Sequence, residues 1–267
     1  MLQDLKPVVA VERRTVADTP FSPPHRQSSM RIARLLTEDG PVTGEYVDGV
    51  VHADDGQYVV GRDGRLLPPC EPTALYCVGR NYAATNDQMD YDRPEEPDFF
   101  IKPPTALLAH EQDIPYPPFT DELTYAGELA AVIGERCHDI DPADVSDAVR
   151  GYTILNDVDA LDQQGRTARK AFDGSGPLGP WIETAVDPTD IDMYTDINDE
   201  RRQSANTSEM LFGPHEVVAY LSKRFTFRPG DVVAFGSPAN PGTVAPDDTI
   251  EITYDGVGTL RNSVVEP

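Results

Sequence analysis

Lysine, and basic residues in general, are scarce in this sequence. Among 267 residues, 22 are basic and 46 are acidic, which gives a formal net charge of -24. Lysine occurs only as Lys6, Lys102, Lys170 and Lys223. A chain with this negative charge repels duplex nucleic acid and anionic membrane surfaces. We therefore expect neither as a partner. Because lysine is rare, a lysine inside a motif indicates a role beyond solubility.

An acidic, lysine-poor composition is typical of proteins that work in concentrated salt, where ions screen the self-repulsion of the surface. We therefore expect a halophilic source. The alternative that the composition leaves open is an ordinary acidic cytosolic protein.

Cysteine is also rare, and long apolar runs are lacking. Cys70, Cys77 and Cys137 are odd in number and form no C-x-x-C pair. We expect them to be reduced, apolar residues of a cytoplasmic protein. No apolar run reaches membrane-spanning length, and no secretory signal is visible.

The sequence divides into three segments. Residues 1–29 show no periodicity, which predicts a flexible leader. Residues 30–70 alternate strand-like runs, such as 45–51, with Gly and Asp turns, which predicts a small β-rich N-terminal domain. Residues 71–267 follow a Pro-Pro pair and mix strands with a few helices, which predicts the catalytic domain.

The third segment does not show the regular strand–helix alternation of a doubly wound fold. Strand-like runs occupy 129–133, 151–155, 231–235, 249–254 and 259–265. Helical patterns occupy 141–149 and 214–224. The sequence therefore predicts an α+β fold built around a large mixed sheet.

Carboxylates lie at the ends of two predicted strands. Glu128 precedes the apolar run 129–133, where a buried carboxylate needs a cation or hydrogen-bond donors; the alternative is a glutamate that faces solvent. Asp157 and Asp159 follow the strand 151–155 and would share one face if that strand continues. Carboxylate oxygens are the ligands that Mg²⁺ prefers, although an aspartate cluster in so acidic a chain is also compatible with a solvated surface.

Lys170 precedes a nearly uncharged, Gly/Pro-rich loop that contains the only tryptophan. Such a loop can form a pocket wall, and a lysine beside it can hold a substrate carboxylate or stabilise an enolate. The alternative is a surface lysine before an irregular loop.

Taken in order, several segments between 76 and 181 resemble the fumarylacetoacetate hydrolase family. They are Cys77-Val-Gly-Arg-Asn-Tyr82, Phe100-Ile-Lys-Pro-Pro-Thr105, Tyr125-Ala-Gly-Glu-Leu129, Asn156-Asp157, and Lys170-Ala-Phe-Asp173 with Gly176-Pro-Leu-Gly-Pro-Trp181. The resemblance implies an α+β mixed-sheet roll with a small N-terminal domain. It also implies a homodimer, a Mg²⁺ or Mn²⁺ site and a small keto-acid substrate.

The resemblance assigns the metal site and the catalytic group. Two of the family's metal ligands fall on Glu128 and Asp157, and its catalytic lysine falls on Lys170. Asp159 could supply a further metal oxygen, because its Cα would lie ~6–7 Å from that of Asp157 along a continued strand.

The resemblance also assigns the substrate contacts. Family positions that contact the substrate fall on Gln164 and Thr207. Arg80, within the first motif, is a third candidate for substrate binding.

Four positions depart from the family pattern. The family's first metal-binding glutamate is replaced by Ala126, and an expected arginine is Leu161. The histidine and the glutamate that activate water fall on Thr85 and Gln88. A His–Glu pair that acts as a general base is therefore not available.

These residues predict a Mg²⁺-dependent enzyme that acts on a small keto or enol dicarboxylic acid. Without the His–Glu base, keto–enol isomerisation or decarboxylation fits better than hydrolytic C–C cleavage. Two alternatives stay open. One is a catalytically impaired family member that binds a carboxylate metabolite or serves as a structural subunit, and the other is a metal-free lyase on the same fold.

Overall fold

The computed structural model describes residues 29–267, and the predicted leader lies outside them except for its last residue. The strands are β1 Arg31–Thr37, β2 Gly40–Val47, β3 Val50–Ala53, β4 Gly56–Val59, β5 Arg65–Leu66, β6 Leu75–Gly79, β7 Asp98–Lys102, β8 Leu107–Leu108, β9 Ile114–Pro115, β10 Leu123–Thr124, β11 Gly127–Ile133, β12 Val149–Asn156, β13 Asp159–Ala160, β14 Gly176–Glu183, β15 Asp192–Ile197, β16 Glu200–Asn206, β17 Val232–Ala234, β18 Thr243–Val244, β19 Thr249–Tyr254 and β20 Gly258–Val265. The helices are α1 Ala83–Met89, α2 Val145–Ala148, α3 Arg166–Lys170 and α4 Pro214–Ser222, with 3₁₀ turns at Pro104–Ala106, Pro142–Asp144 and Thr207–Glu209.

Twelve of these strands form one large mixed sheet. Ten lie in the order β4-β3-β2-β1-β14-β12-β11-β17-β6-β7, with β5 beside β1 and β8 beside β14. Neighbours are antiparallel apart from β17 with β6 and β8 with β14. The start of β1 pairs with the end of β14, so the N-terminal strands extend the main sheet. They also keep a separate apolar cluster of Ala33, Leu35, Val51 and Leu66.

A second sheet covers one face of the large one. It has the order β16-β15-β19-β20-β9. Alternate residues of β19, namely Ile250, Ile252 and Tyr254, are buried, which is the period of a strand with one face in the core. They share an apolar cluster with Leu129 of β11 and with the buried side of α4. The main core therefore lies between the two sheets, and the fold is α+β as the sequence predicts.

Most of the predicted elements are present, with two corrections. The run 45–51 is not one strand, because Asp48 and Gly49 adopt left-handed backbone angles and turn the chain between β2 and β3. Glu128 lies inside β11 and not before it. The three cysteines are free and buried, as expected.

One end of the large sheet gathers the termini of several strands. β6, β12 and β17 end there, whereas β7 and β11 begin there, because antiparallel neighbours run in opposite directions. A small sheet, β13-β10-β18, borders the same region. None of the helices in 29–267 is long and apolar enough to span a membrane.

Candidate active site

A cavity of about 610 Å³ lies at this end of the sheet. Its wall includes the neutral residues Thr85, Tyr125, Ala126, Ser237 and Pro238. It also includes the charged residues Arg80, Glu128, Asp157, Asp159, Arg166, Arg169 and Lys170. Four of these are cationic and three are anionic, so the wall carries a formal charge of +1 in a chain of net charge -24. A concave site with a few converging polar groups is typical of small-molecule binding.

Strand pairing brings Glu128 and Asp157 to the same face of the sheet. β11 and β12 are antiparallel, with Glu128 opposite Leu155. Just beyond, the backbone N–H of Asp157 donates to the carbonyl oxygen of Ala126 at 2.9 Å. The residue two positions along a partner strand is a diagonal neighbour on the same face, about 7–8 Å away. The register therefore makes the two carboxylates converge.

Lys102, at the end of β7, is fully buried beneath the site. Its ammonium group donates to three main-chain carbonyl oxygens, those of Val158 at 3.1 Å, Lys170 at 2.5 Å and Ser175 at 2.8 Å. The same nitrogen lies 2.8 Å from Asp157 Oδ1. A buried ammonium group needs acceptors and a negative partner, so Lys102 fixes the chain around both Asp157 and Lys170.

Lys170 contacts two aspartates from the cavity side. Its Nζ donates to Asp157 Oδ2 and lies 3.1 Å from Asp159 Oδ2. Burial alone would lower the pKa of Lys170, but the carboxylates of Asp157 and Asp159 outweigh it and raise that pKa. Burial would likewise raise the pKa of Asp157, but the ammonium groups of Lys102 and Lys170 outweigh it and lower that pKa. Lys170 is therefore a stable cation and Asp157 a stable anion.

Asp159 is bound on both oxygens by an arginine. Arg169 donates from Nε to Oδ1 at 2.9 Å and from Nη2 to Oδ2 at 2.5 Å, a bidentate geometry that holds both oxygens. The expected convergence of Asp157 and Asp159 is present, but the cation that they share is Lys170. In this structure Asp159 is thus a partner of Arg169 and Lys170, and its role as a metal ligand stays a prediction.

Glu128 is buried without a salt-bridge partner among residues 29–267. Its Oε2 accepts a hydrogen bond from the backbone N–H of Gly236 at 3.0 Å. Gly236 has a φ of 91°, and a side chain there would press on Asn81, so glycine permits the turn that aims this N–H. Burial, together with the negative charge of Asp157, raises the pKa of Glu128 to about 8.

This donor set fits a divalent cation held by two protein carboxylates. Asp157 Oδ1 is buried and lies 2.8 Å from Lys102 Nζ, but the three N–H bonds of Lys102 also face main-chain carbonyl oxygens, so this carboxylate keeps lone pairs for a further cation. Mg²⁺ is often bound by one or two carboxylates, with water or ligand oxygens at its other positions. No cluster of three or more His, Cys, Asp or Glu ligands occurs in 29–267, which agrees with the loss of a carboxylate at Ala126.

Two of the predicted substrate contacts do not lie on the cavity wall. Gln164 is exposed, and its neighbour Gln163 lines the cavity instead. Thr207 is buried at the start of a 3₁₀ turn, where its hydroxyl accepts a hydrogen bond from the backbone N–H of Ile191 at 2.9 Å. Arg80 does line the cavity. The structure thus brings Arg80 to the site, but not Gln164 or Thr207.

Thr85 and Gln88, the positions of the missing His–Glu pair, attach α1 to the loop that follows β17. The Thr85 hydroxyl donates to the carbonyl oxygen of Ser237 at 3.1 Å. Gln88 Oε1 accepts a hydrogen bond from the backbone N–H of Asn240 at 2.8 Å. Both side chains therefore make structural contacts, and neither is a strong base.

The sequence-based candidates do not include three basic residues of the site, Lys102, Arg166 and Arg169. Arg166, Arg169 and Lys170 have the spacing i, i+3 and i+4 in α3, which places them on one helix face. That pattern is visible in the sequence. The burial of Lys102 is not, because it depends on β7 pairing with β6 across the sheet.

The fold and the site define an α+β protein with a small-molecule cavity in which two carboxylates lie beside a buried lysine. Residues 74–265 match the family model described as fumarylacetoacetate (FAA) hydrolase C-terminal. The chain belongs to the fumarylacetoacetate hydrolase family.

Relatives of known activity agree with this assignment. The crystal structure of 5-carboxymethyl-2-hydroxymuconate delta-isomerase from Mycobacterium smegmatis is 37% identical, with a TM-score of 0.81 over 89% of this chain and 99% of that one. A mitochondrial oxaloacetate tautomerase of Bos taurus is 33% identical over 72% of this chain and 92% of its own length. Fumarylpyruvate hydrolase from Pseudomonas aeruginosa, in complex with Mn²⁺ and pyruvate, is 30% identical, with a TM-score of 0.70 over 83% of this chain and 98% of that one. The family's members are thus enzymes that act on small keto acids.

Proposed function

We propose that this chain is an enzyme that interconverts the keto and enol forms of a small 2-keto dicarboxylic acid. The observation that carries the proposal is the position of Lys170, a stable cation on the wall of a cavity that lacks a His–Glu base. Decarboxylation of a β-keto acid also develops negative charge on the keto oxygen, as CO₂ leaves and the enolate of the shorter acid forms, and it is a further reaction that this site supports.

The role of Lys170 follows from the charge that develops during the reaction. Ketonisation moves a proton from the enol oxygen, by way of water, to the adjacent carbon, and negative charge develops on that oxygen as its proton leaves. Lys170 has three N–H bonds; one donates to Asp157, and the ammonium group also lies 3.1 Å from Asp159, so at least one is left for the substrate. A fixed ammonium group at this position stabilises the developing oxyanion, because it needs no reorganisation during the reaction.

Glu128 and Asp157 are the residues that would hold Mg²⁺ or Mn²⁺. When bound, such an ion acts as a Lewis acid toward the oxygens of a 2-keto acid. With only two carboxylates from the protein, we expect weak binding of the free ion. We expect tighter binding when an oxalate-like ligand supplies further oxygens.

Hydrolytic C–C cleavage is the less favoured reaction. It requires a base that removes a proton from water, and Thr85 and Gln88 stand where the family has that base. Neither side chain is titratable, and both are hydrogen-bonded to the loop after β17.

The first experiment measures the conversion of enol-oxaloacetate to its keto form from the loss of enol absorbance, in molar KCl with Mg²⁺. Replacing Lys170 by Met removes the cation, and we expect the rate to fall about 10²–10³-fold, as for the loss of one oxyanion-stabilising group. Lys223→Met is the matched control, because Lys223 is exposed, and we expect it to retain the wild-type rate.

A calorimetric titration of Mg²⁺ tests the metal assignment without measuring activity. Binding in the presence of oxalate should be tighter than without it and should disappear in Glu128→Ala. If the folded wild type neither binds Mg²⁺ nor accelerates ketonisation, the proposal fails. The chain is then better described as a non-catalytic family member that binds a carboxylate metabolite.

Assembly as a homodimer, a cytoplasmic location and a halophilic source stay predictions. The first follows from the family resemblance, and the other two follow from the composition.

A further inference from the structure

At the cavity wall two arginines share one aspartate. Asp98, the first residue of β7, accepts hydrogen bonds from Arg80 Nε at 2.8 Å and from Arg166 Nη1 and Nη2 at 2.6 and 2.8 Å. The side chains of both arginines are more than a third exposed, whereas that of Asp98 is 22% exposed. With one carboxylate between two guanidinium groups, this unit keeps a net positive charge. We refer to it as the Arg80–Asp98–Arg166 unit.

Arg80 is held in an unfavourable backbone conformation. Its φ is 58°, in the left-handed region that residues other than glycine, asparagine and aspartate seldom adopt. The side chain of Asn86, which is fully buried, donates to the carbonyl oxygen of Arg80 at 2.9 Å and supports this conformation. Backbone conformations of this kind concentrate at ligand-binding sites. Here the conformation places a guanidinium group at the cavity.

Arg166 and Lys170 both lie near one aromatic ring, that of Phe100. Arg166 Cζ is 5.6 Å from the centroid of Phe100, and Lys170 Nζ is 5.4 Å from the same centroid. The two cations are therefore no more than about 11 Å apart. They are also one helical turn apart in α3 and face the same way. A short linear acid can thus contact both at once.

Both arginines keep unused hydrogen-bond donors. A guanidinium group has five N–H bonds. Among the described residues, Asp98 is the only group that pairs with the N–H bonds of these side chains. It does so through Nε and Nη2 of Arg80 and through Nη1 and Nη2 of Arg166. Arg80 Nη1 and Arg166 Nε are left over. Since both residues line the cavity, these donors are available to an anion inside it.

We propose that the Arg80–Asp98–Arg166 unit binds the second carboxylate of a dicarboxylic substrate whose 2-keto acid end lies at Lys170. This inference rests on the proposed function. Planar guanidinium groups are well suited to carboxylates. The family resemblance implies an arginine at the position of Leu161, and the Arg80–Asp98–Arg166 unit supplies positive charge in the same cavity.

The experiment compares two stable 2-keto acids of equal chain length, 2-oxoglutarate and 2-oxopentanoate, which differ only in the second carboxylate. Their affinities are measured by calorimetry with Mg²⁺ present. We expect the wild type to bind the diacid roughly 10–100-fold more tightly, as for hydrogen bonds between charged groups. Arg166→Gln and Arg80→Gln should each remove most of this preference and leave the affinity for 2-oxopentanoate within about twofold.

Arg62→Gln is the matched control, because Arg62 also forms a two-bond pair with an aspartate but lies in the exposed turn between β4 and β5, away from the cavity. It should keep the full preference for the diacid. Equal affinities of the wild type for the two acids, absence of binding, or an equal loss for both acids in Arg166→Gln would each overturn the inference. The ketonisation assay separates this result from failure of the proposed function: if Lys170-dependent ketonisation persists without a diacid preference, only the inference is lost.

Discussion

The ion pairs of the outer surface and those of the cavity use the same chemistry in different surroundings. On the surface, the side chains of Arg93 and Asp87 are 58% and 67% exposed. At the cavity, the side chain of Asp157 on the wall and that of Lys102 beneath it are 3% and 0% exposed. An exposed pair contributes little to stability because water and salt screen it. A buried pair is costly to form, yet removing one partner leaves an uncompensated charge in the interior.

This difference shows where the few basic residues have their largest effect. On the surface of a chain with net charge -24, a single arginine adds little to the free energy of unfolding, because its ion pair is screened. The cavity wall has four basic and three acidic side chains, so its formal charge is positive. Its low-dielectric surroundings strengthen the interaction of each charge with a ligand. The acidic surface therefore bears on behaviour in salt, whereas the cationic cavity bears on which anions are bound.

The largest effect is expected for Lys102→Met. The substitution keeps an unbranched side chain but leaves Asp157 Oδ1 and three carbonyl oxygens without their cation. We expect the free energy of unfolding to fall by about 3–5 kcal/mol, as for a broken buried pair. Urea unfolding at constant KCl measures it.

Lys223→Met is the control for this prediction, since its side chain is exposed. Its free energy of unfolding should stay within about 0.5 kcal/mol of the wild type. A loss in Lys102→Met as small as that of the control would mean that the buried charges do not stabilise the cavity.

An intermediate effect is expected for Ala126→Glu. Ala126 lines the cavity opposite Asp157, so a glutamate there adds a third carboxylate beside Glu128. We expect Mg²⁺ to bind about tenfold more tightly, because affinity for hard cations rises with the number of charged ligands. Without Mg²⁺ the additional negative charge should lower the melting temperature.

Ala126→Gln has nearly the same shape without the charge and serves as the control for Ala126→Glu. The glutamate variant should gain more thermal stability than the glutamine variant when Mg²⁺ is added, because only the glutamate variant has a third carboxylate. Equal responses of the two variants would show that a carboxylate at position 126 does not reach a cation held by Glu128 and Asp157.

Local pattern was enough to predict much of the fold. The alternation along 249–254 and the helical spacing at 214–224 correspond to β19 and α4. The prediction of one strand over 45–51 was wrong because the apolar residues on both sides of Asp48-Gly49 were given more weight than the turn. Asp-Gly is a strong hairpin signal. The joining of β1 to β14 depends on residues about 150 positions apart. No local pattern contains that information.

The site was predicted only where its residues belong to the segments that resemble the family. Glu128, Asp157 and Lys170 do meet, because the register of β11 on β12 and the short helix α3 bring them together. The partner of Asp159 was missed, since Arg169 precedes the motif lysine and looks like a surface residue. The spacing of Arg166, Arg169 and Lys170 contained a usable signal, namely three cations on one face of a short helix in a chain with few of them.

The smallest effect is expected from the response of these pairs to salt. Raising KCl from about 0.1 M to about 1 M shortens the Debye length from ~10 Å to ~3 Å, and this screens exposed charges far more than buried ones. The free energy of unfolding of the wild type should rise as surface repulsion is screened. The penalty of Lys102→Met should change by less than about 0.5 kcal/mol, because salt screens side chains as buried as those of Lys102 and Asp157 far less than exposed ones. In Arg93→Gln, by contrast, the small difference from wild type should vanish at high salt. A Lys102→Met penalty that shrinks with KCl would show that solvent reaches the cavity pairs, and the distinction between the two regions would then be lost.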